Sequence, residues 1–348
     1  MSAAPVETIT VHAGDDGMRL DRWFRQHFPA VTHGYLQKLL RSGQVRVNGK
    51  RVQANERIAT GSEIRVPTVA RNAPNRTPRE KATPATSRED RAFIESLVIY
   101  EDDHVLVLNK PFGLAVQGGS GTPRHLDGLL AGMVDGDRFR ERPRLVHRLD
   151  RDTTGVLLVA KHRQAATKLG RVFQTRSAAK TYWALVNGVP KPRQGKIEAA
   201  LVKASGPDGD RVRKSRPGEQ DKAMHATTHY SVIDNVGQKA AWVSLKPVTG
   251  RQHQLRAHMA LIENPISGDN KYDGHLRMPA ENMPEKLHLH ARRLILPHPF
   301  FDSKKLDVTA PLPSHMLKTW DLLGLDPKRF DADKIGEEEE EESRRKKK

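Results

Sequence analysis

The 348-residue chain contains no cysteine. This absence excludes thiol nucleophiles, thiolate metal sites and disulfide bonds, and it is compatible with a reducing compartment without proving one. No apolar run approaches the length of a membrane-spanning helix, and the N-terminus lacks the basic flank and apolar core of a secretory signal. We therefore expect a soluble, cytoplasmic protein that has no membrane partner.

Acidic residues are too few to balance the basic ones. Lys and Arg number 59 against 42 Asp and Glu, which gives a formal net charge of +17. The last twelve residues contain six Glu and five Lys or Arg, so the excess of positive charge lies in the rest of the chain. A folded protein this basic most often binds a polyanion, and nucleic acid is favoured over a membrane surface because no basic amphipathic helix stands out.

Charge changes divide the chain into five predicted segments. Residues 1–17 form a slightly acidic lead-in, and residues 18–67 form a compact basic unit with ten Lys or Arg against three Asp or Glu. Residues 68–91 contain almost nothing to bury and predict a flexible linker. A globular domain is expected over residues 92–326, followed by a charged, disordered tail over residues 327–348.

The basic unit begins with four apolar residues at helical spacing, namely Leu20, Trp23, Phe24 and Phe28. Thr32 is expected to cap a second helix that ends before Gly43. The alternation from Gln44 to Val52 around Asn48-Gly49 predicts a β-hairpin. This helix-helix-hairpin order, with the sequences RLDRWF and GQVRVNGKRV, resembles the S4 RNA-binding domain.

Six basic residues of this unit are predicted to contact RNA phosphates, and they are Arg22, Lys38, Arg41, Arg46, Lys50 and Arg51. The alternative is an ordinary solvated basic face. A polar, basic insertion over residues 203–222 is expected to be an exposed loop that also reaches towards RNA.

The stretch from Leu145 to Gly155 concentrates charge just before an apolar run over residues 156–160, which predicts a loop attached to a buried strand. If Arg148 or Arg151 lies beside Asp150, the carboxylate stays ionised and can act as a nucleophile or general base. Composition alone favours a different interpretation, a surface loop with an Asp–Arg ion pair.

Four motifs in order give a family resemblance. Residues 147–155, HRLDRDTTG, resemble the HRLDxxTSG loop of the RluA-type pseudouridine synthases. Residues 180–186, KTYWALV, are similar to the family's K-x-Y-x-A-x-V strand, and residues 249–258, TGRQHQLRAH, to its TGRxHQLRxH segment. Residues 109–119, NKPFGLAVQGG, resemble its first motif. The resemblance covers nearly the whole chain.

The resemblance implies an α+β fold, with a mixed, largely antiparallel sheet of the pseudouridine synthase type preceded by the small S4-like domain. It implies isomerisation of uridine to pseudouridine in RNA without a cofactor or metal. The motifs most resemble the bacterial enzymes that act on 23S ribosomal RNA. A transfer RNA synthase is the nearest alternative, and a non-catalytic, S4-type ribosome-assembly factor is a further one. A monomer is favoured.

The resemblance also assigns three catalytic residues. Asp150 would be the nucleophile or base. Tyr182 would stack on the target base and assist proton transfer. Arg251 would be the basic partner that holds the Asp150 carboxylate ionised and oriented.

Three further residues are assigned to substrate binding. Arg148 would fill the gap that the target base leaves when it flips out of the helix, and Leu255 and Arg256 would complete the pocket wall. A zinc site would need three convergent ligands, and nothing in the sequence brings together the histidines His253, His258, His288 and His290. We therefore predict no metal.

Overall fold

The computed structural model describes residues 6–68, 87–118, 122, 124–134, 139–206, 209–273, 275 and 278–328. The chain divides into two compact units, Met1–Pro84 and Ala85–Lys348. In the described ranges, no helix is long and apolar enough to cross a membrane.

The first unit is a three-stranded antiparallel sheet with two helices. Its elements are β1 (Val6–Thr10), α1 (Leu20–His27), α2 (His33–Arg41), β2 (Arg46–Val47) and β3 (Glu63–Pro67). The predicted apolar face of α1 is buried in the core, and the Thr32 side chain caps α2 by accepting a hydrogen bond from the Tyr35 N–H at 3.3 Å.

The sheet of this unit differs from the predicted hairpin. Asn48 and Gly49 form the expected turn with φ of 48° and 74°, and Val47 exchanges backbone hydrogen bonds with Lys50. The chain then leaves the sheet, and β3 takes the place of the hairpin's second strand beside β2. The Asn48 side chain accepts the Glu63 N–H at 2.8 Å. The other edge of β3 pairs with β1, which lies in the range predicted as a lead-in.

The second unit is built on one eleven-stranded sheet. Its first half contains α3 (Arg88–Ser96), β4 (Val98–Glu101), β5 (Val105–Lys110), α4 (Leu126–Ala131), β6 (Arg144–Leu145), β7 (Thr154–Ala160), α5 (Arg163–Gln174) and β8 (Ala179–Asn187). Its second half contains β9 (Gln194–Gly206), β10 (Gly209–Lys214), β11 (Met224–Val236), β12 (Ala240–Pro247), α6 (Gln254–Leu261), β13 (Leu289–Pro297), β14 (Lys305–Thr309) and α7 (Ser314–Leu323).

The main path of the sheet is β10-β9-β11-β12-β8-β13-β7-β5-β4, with β14 on β13 and β6 on β7. The described pairings of this sheet are antiparallel except that of β7 with β13. The predicted mixed, largely antiparallel α+β architecture is therefore confirmed.

One segment boundary differs from the sequence expectation. Helix α3 begins at Arg88, inside the range predicted as a linker, and Ser87 caps it by accepting the Asp90 N–H at 3.0 Å. The rest of the predicted linker, residues 69–86, and the tail, residues 329–348, lie outside the described residues.

The insertion predicted as an exposed loop over residues 203–222 is mostly a hairpin. Strand β9 continues through its first residues and pairs with β10. After β10, both oxygens of Glu219 accept hydrogen bonds from Arg213 at 2.7 Å. Four basic residues of this segment are therefore carried on an extension of the sheet, namely Lys203, Arg211, Arg213 and Lys214.

Strand β7 fixes the charged loop that precedes it. All its residues are buried, as its apolar sequence predicts. Gly155 has φ of 106°, and a Cβ there would overlap the backbone of Ala291 on β13. Glycine is required at this position because the two parallel strands approach each other so closely.

Candidate active site

A cavity of about 660 Å³ opens where the loop before β7 meets β8 and the start of α6. The six residues that the resemblance assigns to catalysis and substrate binding all line this cavity, and they are Asp150, Tyr182, Arg251, Arg148, Leu255 and Arg256. Three motifs that are far apart in the sequence therefore meet at one site.

Backbone contacts hold the loop that carries Asp150. The Lys110 ammonium donates to the Arg151 carbonyl at 2.7 Å, and the Thr153 N–H donates to the Asp150 carbonyl at 3.2 Å. His147 accepts the Leu158 N–H at 2.8 Å, so the start of the loop is also attached to β7. Burial lowers the pKa of His147 to about 3, which keeps this ring neutral.

The loop does contain an Asp–Arg ion pair, but it does not involve Asp150. Arg151 pairs with Asp152 at 3.0 Å, and both side chains are partly exposed. The Asp150 side chain is 20% exposed and faces the cavity. The alternative interpretation, a surface ion pair, therefore applies to Asp152 and not to Asp150.

Two cationic or ionisable groups face Asp150 from the start of α6 and the residue before it. Arg256 Nη1 lies 3.9 Å and His253 Nε2 lies 3.8 Å from Asp150 Oδ2. Arg256 is itself held by two hydrogen bonds to Asp269, of 2.7 and 2.6 Å, and Asp269 is fully buried. Burial lowers the pKa of Arg256, but the bonds and charge of Asp269 outweigh it and raise the pKa above its ordinary value.

The structure corrects the predicted partner of Asp150. Arg251 lies in the turn before α6, where its Nε donates to the His225 carbonyl at 3.2 Å. Its backbone N–H donates to the Gln254 side chain at 3.0 Å. Arg256, the third residue of α6, approaches Asp150 instead, and the first six residues of this helix are all buried.

Tyr182 lies on β8 beside the cavity. Its ring is half-buried between two apolar clusters, one containing Leu149 and the other containing Leu255. Burial raises the pKa of Tyr182 well above its ordinary value, and the negative charge of Asp150 raises it further. The phenol therefore keeps its proton. Lys180 lines the same cavity, and burial lowers the pKa of its amine.

Two residues that support Arg256 were not predicted from the sequence. Asp269 binds the Arg256 guanidinium, and the centre of the Tyr272 ring lies 5.2 Å from the Arg256 Cζ. The adjacent Gly268, with φ of 73° and no room for a Cβ beside the Lys286 backbone, marks a tight turn at this point. The Gly268-Asp269 pair suggests a turn in the sequence. The sequence does not show that Asp269 pairs with Arg256 on α6.

The histidines considered as metal ligands each have a hydroxyl partner. His253 contacts Tyr272 at 3.2 Å and His258 contacts Thr228 at 3.0 Å. His288 contacts Thr319 at 2.7 Å and His290 contacts Thr154 at 2.8 Å. Within the described ranges, no group of three His, Asp or Glu side chains could hold a metal ion.

The six basic residues predicted to contact phosphates lie in the first unit. Arg22, Lys38, Arg41, Lys50 and Arg51 are exposed or partly exposed. Arg46 is half-buried, and it donates to the carbonyls of Gly43 at 3.2 Å and Gly49 at 3.1 Å. Five of the six side chains are therefore accessible to a ligand.

Comparisons with known proteins identify the family of the chain. The family model of RNA pseudouridylate synthases matches residues 104–261, and the model of the S4 domain matches residues 18–64. Ribosomal large subunit pseudouridine synthase C of Vibrio cholerae is 36% identical over 315 residues, which cover 89% of this chain and 95% of that protein. The mitochondrial RNA pseudouridine synthase 4 of Arabidopsis thaliana is 35% identical over 375 residues, covering 87% and 78%.

A solved structure similar to this chain belongs to the same family. Human RNA pseudouridylate synthase domain containing 4 has a TM-score of 0.56 and 30% identity, and the match covers 68% of this chain and 98% of that one. Given these similarities in sequence and fold, the chain belongs to the RNA pseudouridine synthases and is an isomerase that acts on uridine in RNA.

Proposed function

We propose that the protein isomerises specific uridines of 23S ribosomal RNA and that Asp150 is the catalytic group, without a cofactor or metal. The observation that carries the proposal is a carboxylate in a cavity, beside the Tyr182 ring and the Arg256 guanidinium. The choice of ribosomal RNA rests on relatives named for the ribosomal large subunit, such as that of Escherichia coli at 36% identity over 304 residues. That match covers 84% of this chain and 89% of the relative.

The reaction requires the uracil to leave its stack, because the reacting atoms are otherwise inaccessible. The N1–C1′ bond breaks, the ring turns, and C5 bonds to C1′ while C5 loses its proton and N1 gains one. Asp150 either adds to C1′ or takes the proton from C2′ to form a glycal. Because no water is activated, one carboxylate suffices, unlike the pair that a typical glycosidase uses.

The neighbours of Asp150 would divide the remaining tasks. Arg256, fixed by Asp269, would orient the carboxylate. Tyr182 would stack on the uracil and, as a protonated phenol, would donate a hydrogen bond while assisting proton transfer. Arg148, exposed at the cavity, would fill the gap that the flipped base leaves in the RNA stack. Leu255 would form an apolar part of the cavity wall.

Arg251 keeps a place in the proposal, but a different one. It lines the cavity while its Nε contacts a backbone carbonyl, and it does not contact Asp150. Its guanidinium would contact an RNA phosphate at the cavity rim. The S4 domain would add phosphate contacts through its exposed basic residues.

Asp150→Asn tests the catalytic role, because it keeps the shape of the side chain and removes its charge. We expect binding to a 23S RNA fragment to change by no more than a few-fold while turnover falls below detection. Asp152→Asn is the matched control, since that carboxylate pairs with Arg151 and should be dispensable for turnover. If Asp150→Asn forms pseudouridine at a near wild-type rate, the assignment is wrong.

The substrate is tested in cells. Carbodiimide primer extension on total RNA, with and without the gene, should show that specific pseudouridines disappear from 23S ribosomal RNA. Disappearance from transfer RNA alone would contradict the ribosomal assignment, and no change at all would favour a binding protein.

A further inference from the structure

His253 lies between Asp150 and a tyrosine, although it has no assigned role. It adopts a left-handed conformation with φ of 49° immediately before α6, and its side chain is only 8% exposed. One ring nitrogen, Nδ1, lies 3.2 Å from Tyr272 Oη, and the other, Nε2, lies 3.8 Å from Asp150 Oδ2. A non-glycine residue is uncommon in this conformation, so the surrounding structure must hold His253 in it.

The hydrogen bonds of Tyr272 decide which nitrogen of His253 carries the proton. The backbone N–H of Val212 on β10 can only donate, so the Tyr272 oxygen accepts at 2.8 Å. The phenol proton then needs an acceptor, and within the described part of the chain His253 Nδ1 is the one at hydrogen-bond distance. Nδ1 is therefore unprotonated, and in the neutral ring Nε2–H points towards Asp150.

The charges around the ring are compatible with a neutral imidazole. Burial is the largest influence and lowers the pKa of His253, and it also raises the pKa of Tyr272 to about 12, so the phenol retains its proton. Asp150 and Asp269 favour protonation of His253, whereas Arg256 and Lys271 oppose it. The net effect is a pKa below the ordinary value.

We propose that His253 is a positioning residue, whose Nε2–H orients the Asp150 carboxylate and whose tautomer is set by Tyr272 and the β10 backbone. The inference rests on the proposed catalytic role of Asp150. The 3.8 Å separation is longer than a hydrogen bond, but catalytic contacts are often long without substrate and shorten in the substrate complex. Arg256 and His253 would then hold the same oxygen from two directions.

The tautomer is tested in the full-length protein by nitrogen-15 NMR of the imidazoles, with the His253 signals assigned as those missing from a His253→Gln sample. We expect the protonated-type shift at Nε2 and the unprotonated type at Nδ1. In Tyr272→Phe, which keeps the ring over Arg256, the two tautomers should mix. A protonated Nδ1 in the wild type would overturn the proposal.

Kinetics test the positioning with two variants. The amide nitrogen of glutamine can occupy the place of Nε2, whereas the asparagine side chain reaches only the place of Nδ1. His253→Asn should lower kcat on a saturating RNA stem-loop by about 10- to 100-fold, the range for a misplaced catalytic group, and leave KM within a few-fold. His253→Gln should keep kcat within a few-fold of wild type.

Equal kcat values for the two variants would overturn the positioning role, as would an effect expressed in KM rather than kcat. Thermal unfolding of both variants identifies a folding defect, and the wild-type NMR experiment requires no variant to be active. If Asp150→Asn remains active, the proposed function fails whatever the tautomer. If Asp150→Asn is inactive but asparagine and glutamine at position 253 are equivalent, only the positioning role fails.

Discussion

The two units of the protein use positive charge in opposite ways. In the first unit, residues 18–67 carry ten basic and three acidic residues, and side chains such as Lys50 and Arg51 are exposed. Beside Asp150, the Arg256 side chain is 6% exposed and its partner Asp269 is 0% exposed. The first arrangement attracts a polyanion from any direction, whereas the second holds a few groups in one geometry.

The difference determines how sensitive each unit is to substitution. Exposed charges are screened by salt and contribute mainly by their number, so each is replaceable. A buried pair cannot lose one member without leaving the other charge unpaired in a poorly solvated site. We therefore expect large, specific effects at the cavity and small, roughly additive ones on the first unit.

The largest effect is expected from Arg256→Met, which leaves Asp269 buried without its partner. The free energy of unfolding should fall by about 3–5 kcal/mol, measured by urea denaturation, and turnover should be abolished. Adding Asp269→Asn removes the uncompensated charge and keeps the bonds from the Lys271 and Tyr272 N–H groups. The double variant should regain stability but not turnover. If Arg256→Met is as stable as the wild type, the Arg256–Asp269 pair contributes no more to stability than an exposed ion pair does.

Tyr182→Phe should affect chemistry without affecting binding. The ring still stacks on the base, but the hydroxyl is removed, and turnover at saturation should fall by roughly 10²-fold if it assists proton transfer. Tyr230→Phe is the matched control, because that buried hydroxyl donates to the Pro192 carbonyl and does not line the cavity. Equal rates for Tyr182→Phe and wild type in single-turnover assays would limit the phenol to packing.

Lys110 is a second buried basic residue, but its ammonium group is held by backbone carbonyls and not by a carboxylate as in Arg256. It donates to Pro111, Leu114 and Arg151 at 2.7–2.9 Å, and burial lowers its pKa to about 7. The folded pKa lies below the unfolded value of 10.5, so between these pH values the unfolded chain binds more protons and stability rises with pH.

The contribution of Lys110 to this slope is up to about 1.4 kcal/mol per pH unit. Lys110→Met should lack this contribution, so its free energy of unfolding should rise less steeply between pH 7 and pH 10 when measured by urea denaturation. Parallel profiles for the variant and the wild type would show that the lysine does not titrate in this window.

The smallest effects are expected on the first unit. Lys50→Gln combined with Arg51→Gln should reduce the log–log salt slope of binding to a 23S RNA fragment by about 0.7–0.9 for each phosphate that the variant no longer neutralises. Turnover at saturating RNA should not change, because both residues lie outside the catalytic unit.

Arg19→Gln is the control for this measurement. Its guanidinium already pairs with Asp21 at 2.6 Å, so its removal should reduce the slope less. A double variant with an unchanged slope would show that this face does not contact RNA.

Local sequence patterns determined several features correctly. The apolar spacing of Leu20, Trp23 and Phe24 predicted α1, because a helix turns every 3.6 residues whatever lies elsewhere in the chain. Thr32 predicted the start of α2 for a similarly local reason, since a cap binds an N–H only two or three residues away. The apolar run after Gly155 predicted the buried strand β7.

The motifs also predicted which residues line the cavity, but not how their charges pair. Arg251 and Arg256 both lie within a few residues of the start of α6, and the sequence does not distinguish them as partners of a carboxylate that lies far earlier in the chain. The choice depends on where each side chain lies in the folded chain, because Arg251 contacts the His225 carbonyl whereas Arg256 lies near Asp150. The pairing of Arg256 with Asp269 has the same cause.

Strand pairing was the other feature that required the tertiary structure. Val6–Thr10 is rich in β-branched residues, but its place in the sheet depends on β3, which comes much later in the chain. Likewise, Val212 on β10 and Tyr272 are 60 residues apart, yet their hydrogen bond decides the tautomer proposed for His253. The sequence by itself determined the two helices of the first unit, the buried strand and the chemical groups of the site. Only the folded chain decided which groups meet, because hydrogen bonds and charge pairs depend on distances in space rather than on spacing along the chain.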